Sequence, residues 1–81
     1  MKTGEQLLNE LPVIDGVRPT GMVTADGRLM LSAEEGDGLL DYYGEFRGGY
    51  PYIHPKLEEW AAERGGAFEW DNPGSVTLFE A

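Results

Sequence analysis

Leu7, Leu8 and Leu11 recur at the spacing of one helical face, and Thr3 followed by Gln6 has the spacing of a capping box. Pro12 pushes Leu11 out of the α region, so the pattern predicts a short helix over residues 4–10. The stretch from Val13 to Pro19 reads as an irregular connector or a short extended piece. Asp15-Gly16 supplies a turn within it, and Pro19, which has no backbone N–H, bars a central strand.

The next apolar runs are short and strand-like. Met22-Val23-Thr24-Ala25, Asp26-Gly27 and Arg28-Leu29-Met30-Leu31 predict a β-hairpin, because Asp-Gly readily takes the positive φ values of a two-residue type I′ turn. In that register Thr24 faces Leu29 and Met22 faces Leu31 on one side, with Val23 facing Met30 on the other. Glu34-Glu35-Gly36-Asp37-Gly38 reads as a charged turn, Leu39 to Tyr43 as a third strand, and Gly44 to Tyr52, with three Gly and a Pro, as a loop presenting aromatics.

His54-Pro55 opens the clearest helix, which runs to Arg64-Gly65 with Pro at its first position, acids in the first turn and Gly beyond its end. Leu57, Trp60, Ala61 and the stem of Arg64 form its inward stripe. Ala67 to Trp70, the turn Asp71-Asn72-Pro73-Gly74 and Ser75 to Phe79 predict a second hairpin with a four-residue loop. The fold class is therefore α+β, in the order α-β-β-β-α-β-β. One main helix packs on a mainly antiparallel sheet of four or five strands. Eighty-one residues, with no repeat or linker, make a single domain over 1–81.

Composition narrows the function classes. With no Cys there is no disulfide, thiolate metal site or Cys nucleophile. No apolar run approaches bilayer length and no basic segment precedes an apolar core, so a cytoplasmic protein is expected. Fifteen Asp and Glu against six Lys and Arg give a net charge of −9. Phosphate neutralisation needs clustered cations, and these are scattered at Lys2, Arg18, Arg28, Arg47, Lys56 and Arg64, which disfavours direct binding to nucleic acid. Anionic membranes are disfavoured for the same reason. An acidic surface attracts a basic protein surface, but it is equally what solubility or a salty cytoplasm produces.

Candidate chemistry is sparse. His54 is the one His, it precedes Pro55 where a helix cap belongs, and neither Ser32 nor Ser75 lies in a nucleophile-elbow context, so no catalytic residue is assigned. Residues 35–41 lack the carboxylate spacing of a calcium loop. Gly36-Asp37-Gly38-Leu39-Leu40-Asp41 also fails the dinucleotide fingerprint. A single Arg47-Gly48-Gly49 is a turn rather than an RNA-binding tract. No cofactor or metal is expected.

Two features remain. Tyr42, Tyr43, Phe46, Tyr50 and Tyr52 place five aromatics within eleven residues, beside Asp41, Glu45 and Arg47. Such residues either complete a small core or form the energetic centre of a protein interface. Acids also crowd positions expected to be exposed: Glu34, Glu35, Asp37, Asp41 and Glu45, then Glu58, Glu59 and Glu63 on the second helix. The partner-binding residues expected from both features are Glu34, Glu35, Asp37, Asp41, Tyr43, Glu45, Phe46, Arg47, Tyr50, Tyr52, Glu58, Glu59 and Glu63.

The function these features suggest is a small acidic inhibitor or immunity-type protein. Its carboxylates would stand in for phosphates on the basic, nucleic-acid-binding surface of a larger protein, such as a nuclease or CRISPR effector. In size and charge alone, with no shared motif, it resembles the small acidic proteins that phages encode against host nucleases, anti-CRISPR proteins among them. The reading requires the surplus charge to gather on one side, beside uncovered rings. Two alternatives stay open: an accessory interaction module with a salt-adapted acidic surface, and a small ligand-binding domain or enzyme.

Overall fold

Thr3 caps helix α1 (Gly4–Asn9) as its spacing predicts: its hydroxyl accepts from the Gln6 N–H, and the Gln6 side chain accepts from the Thr3 N–H. The fold comes from a computed structural model, which describes residues 1–34, 38–43 and 51–81. After α1, Asp15 and Gly16 both take positive φ, 52° and 80°, and Ile14 and Val17 exchange both backbone hydrogen bonds across them. This is the type I′ pattern, formed by the first Asp-Gly of the chain.

The second Asp-Gly behaves differently. Strands β1 (Gly21–Val23) and β2 (Leu29–Ser32) form the expected hairpin, but Met22 lies opposite Met30 and Val23 opposite Leu29. The register is thus one residue away from the predicted one. Thr24 and Arg28 close a three-residue loop in which Gly27, at φ 83°, takes the left-handed conformation while Asp26 does not. The Thr24 hydroxyl accepts from the Arg28 N–H at 3.0 Å and donates to Asp26, which holds the wider loop. The shift puts Gly21, Val23, Leu29 and Leu31 on the core side. Gly21 then sits under α1, where an added Cβ would meet Leu8 at 2.9 Å and Leu11 at 3.0 Å.

Leu40 opens a strand of two residues rather than five, β3 (Leu40–Asp41), and Tyr42 and Tyr43 already turn away. Its antiparallel partner is β4 (Tyr52–Ile53), from the stretch expected to be loop. Two residues after Pro51 are too few to display a period of two, which is why β4 is invisible in the sequence. The order within the described residues becomes α-β-β-β-β-α-β-β.

Helix α2 (Pro55–Glu63) has Pro at its first position and His54 as its cap, with His54 Nδ1 accepting from the Lys56 N–H at 3.1 Å. Leu57, Trp60 and Ala61 are buried, as the stripe predicts. Strands β5 (Gly66–Asn72) and β6 (Ser75–Glu80) pair regularly to Trp70 opposite Val76, then slip so that Asn72 faces Ser75. The second hairpin therefore turns on Pro73-Gly74 instead of four residues. The bulged Asp71 accepts hydrogen bonds from Ser75 Oγ at 3.2 Å and Thr77 Oγ1 at 2.6 Å, and these hold the slip in place.

The main sheet is antiparallel in the order β1-β2-β6-β5, with β3–β4 as a separate pair. Its core side, Leu29, Leu31, Val76 and Leu78, packs with Leu7 and Leu11 near α1, Leu57 and Trp60 of α2, and Ile14, Leu39 and Leu40. Its other side carries Met22, Met30, Thr77 and Glu69 in one row, since each lies opposite the next. No helix among the described residues is long and apolar enough to cross a membrane.

Candidate functional site

The strands give the sheet two ends. At the end where β1 turns into β2, Arg28 pairs with Asp26 and lies over the Phe79 ring at 4.5 Å. Nearby, Lys2 and Arg64 both bind Glu10. The Glu10 carboxyl is held below its ordinary value chiefly by the Lys2 hydrogen bond and then by Arg64. Asp26 is lowered chiefly by the Thr24 hydroxyl, with Arg28 adding to it. Arg18 donates to the Leu8 carbonyl of α1.

At the opposite end, β2 runs out beside the β5–β6 turn, where the Ala33 N–H donates to the Gly74 carbonyl at 2.8 Å. This brings Glu34 against Gly74, where an added Cβ would lie 3.5 Å from its carboxyl carbon. The β3 segment closes the other wall. Glu34, Asp41, Tyr42, Tyr43, Pro73 and Gly74 line a cleft of about 440 Å³. No Lys or Arg among the described residues lines it.

Its aromatic wall is built in relay. Tyr43 is 61% exposed, and its ring meets Tyr42 edge to face at 5.2 Å. Tyr42 in turn meets Trp70 of β5 at 5.2 Å and 74°. Edge-to-face pairs of this kind contribute roughly 0.5–1.5 kcal/mol each beyond area burial, so the exposed ring stands on a braced support. Among the described residues, the buried Trp70 Nε1 donor has no hydrogen-bond partner.

Of the residues expected to bind a partner, the structure brings Glu34, Asp41 and Tyr43 together in this cleft, with Tyr52 opposite Asp41 across the β3–β4 pair. Asp41 corrects the sequence reading, which placed it on the surface: it is only 7% exposed. Both residues of the two-residue β3 are buried, so alternation of inside and outside does not hold there. Glu58, Glu59 and Glu63 are exposed on α2, away from the cleft lining. Glu59 and Glu63 instead border a shallow groove of about 280 Å³ with Pro12, Lys56 and Trp60. Glu35, Asp37, Glu45, Phe46, Arg47 and Tyr50 lie outside the described residues. The sequence offers Pro73 and Gly74 only as a turn; joining them to the cleft needs the β2–β6 pairing, which the sequence does not reveal.

Exposed carboxylates also stand on the far side of the sheet, at Glu69 and Asp71. Exposed carboxylates thus stand on several sides of the described residues rather than on one acidic face. His54 caps α2, and its Nε2 lies 3.3 Å from Asp15 Oδ2. Since Nδ1 accepts, the ring hydrogen sits on Nε2 and points to that carboxylate. Among the described residues, no group of three or more His, Asp or Glu is arranged to hold a metal ion. The chain matches no protein-family model, no curated protein and no solved structure.

Proposed function

We propose that the protein is a small inhibitor whose acidic, aromatic end docks on the basic, nucleic-acid-binding surface of a larger protein and excludes the nucleic acid by competition. The observation that carries this reading is the cleft itself. Exposed Tyr43, braced by Tyr42, stands beside the exposed carboxylate of Glu34, with Asp41 buried in the same lining, and no described cation lines the wall. A carboxylate presented this way can occupy a Lys or Arg side chain that otherwise holds a phosphate. An aromatic anchor beside them supplies the desolvated centre that charge alone does not.

The test is competition. The protein should displace duplex DNA or RNA from its partner, and this inhibition should fall steeply between low and moderate salt. Tyr43→Ala and Glu34→Lys should each weaken it while the fold stays intact. A second reading, an accessory module whose acidity is salt adaptation, draws on the acids of α2 and the far side of the sheet. Cooperative folding that appears only at molar salt would favour that reading over the inhibitor.

A further inference from the structure

Backbone pairing singles out one edge of the main sheet. The Gly65 carbonyl accepts from the Ala81 N–H at 3.0 Å, which fixes the phase of the β5–β6 ladder: Ala67 with Phe79 and Glu69 with Thr77 are its hydrogen-bonded pairs. The N–H and C=O groups of Gly66, Phe68 and Trp70 therefore point to the open side of β5. None of them makes a backbone hydrogen bond on that side with any described residue. The regular part of β5, Gly66 to Trp70, spans about 14 Å.

Long edges are normally blunted by Lys, Pro, a bulge or brevity. The stretch from Gly66 to Trp70 contains neither Lys nor Pro, and the bulge comes only after Trp70. The opposite edge, β1, is three residues long. Ala67, Glu69 and Asp71 stand exposed along β5, while Phe68 and Trp70 turn inward. We propose that this edge is a docking strand for an extended, cationic segment of a partner protein, which joins the sheet through backbone hydrogen bonds. Cations at alternate positions would lie beside Glu69 and Asp71, and apolar residues between them would extend the Phe68–Trp70 side. A second copy of this chain fits poorly, because pairing β5 with itself sets four carboxylates on one short stretch. The proposal shares its cationic partner with the function above, and Trp70 links the edge to the cleft through Tyr42.

The probe is a capped seven-residue peptide of alternating lysine and valine. Two control peptides carry backbone N-methyl groups on the valines or on the lysines. With the unmodified peptide, amide exchange at Phe68 and Trp70 should slow by roughly tenfold or more. At least one N-methylated peptide should give no slowing, and Glu69→Lys should weaken binding about fivefold. Unchanged exchange at Phe68 and Trp70, or equal binding of all three peptides, overturns the proposal. A peptide that perturbs only Glu34 and Tyr43 overturns the edge and leaves the cleft standing. Slowing at Phe68 and Trp70 that is indifferent to Glu34→Lys and Tyr43→Ala upholds the edge as a site separate from the cleft.

Discussion

The indole N–H of Trp60 donates to the backbone carbonyl of Glu10 at 3.2 Å, joining α2 to the end of α1 across 50 residues of chain. Arg64 reinforces the junction: its guanidinium lies 4.5 Å over the Trp60 ring and donates to Glu10 Oε1 and to the Trp60 carbonyl. Phe68 stacks on the same ring from β5, with centroids 6.3 Å apart. Trp60→Phe keeps an apolar ring but removes the donor and leaves a carbonyl unpaired. It should cost about 1–2 kcal/mol in urea unfolding, a drop in Tm of roughly 4–16 °C for a domain this small.

Glu10 also sets a pH dependence. Its carboxyl is held below the ordinary glutamate value by Lys2 and Arg64, so the unfolded chain binds its proton more readily than the folded one. The stability this provides is present above the ordinary glutamate range and is lost as pH falls through the folded value. Glu10→Gln should therefore be less stable than the parent at neutral pH, and the two should converge in acid. Denaturant unfolding at a series of pH values from 7 to 3 measures the convergence.

Gly4 has no room for a side chain. An added Cβ would lie 2.4 Å from the Gly27 carbonyl oxygen, which already accepts the Gly4 N–H at 3.1 Å. Alanine favours a helix over glycine by up to about 1 kcal/mol, yet overpacking against fixed backbone costs about 1–3 kcal/mol, and the second effect should win. Gly4→Ala is thus expected to lower the urea midpoint with little change in slope.

His54 tests a polar role instead. Its Nδ1 accepts the Lys56 N–H at the start of α2. His54→Ala should cost about 1 kcal/mol, whereas His54→Asn, which offers another side-chain acceptor, should recover most of that loss. Thermal unfolding of the two variants distinguishes a cap from a packing role, because asparagine is the smaller ring-free side chain and cannot replace the imidazole in packing.

Features set by nearby residues were legible in the sequence. The Thr3–Gln6 cap, Pro55 opening α2, the Leu57–Trp60–Ala61 stripe and both hairpins of the main sheet follow from spacing of four residues or fewer. Hairpin register was not legible, because a Thr24 hydroxyl and an Asp71 carboxylate each favoured a wider or slipped turn over the one suggested by Asp-Gly and Asn-Pro-Gly. Nor was the β3–β4 pair, whose strands are too short to carry a period. The cleft was half legible: its acids and tyrosines stood out as a group, but burial of Asp41 and the arrival of Pro73-Gly74 depend on pairings between distant segments.

The function proposed for the cleft at the β5–β6 turn is to engage a cationic, nucleic-acid-binding surface. Its most direct test is capture at low salt on immobilised parent protein and on a Glu34→Lys, Tyr43→Ala double variant, each eluted with duplex DNA and RNA before salt. A nucleic-acid-binding protein should be retained by the parent alone and released by the nucleic acid. Equal retention on both columns, or release by salt but never by nucleic acid, would contradict it.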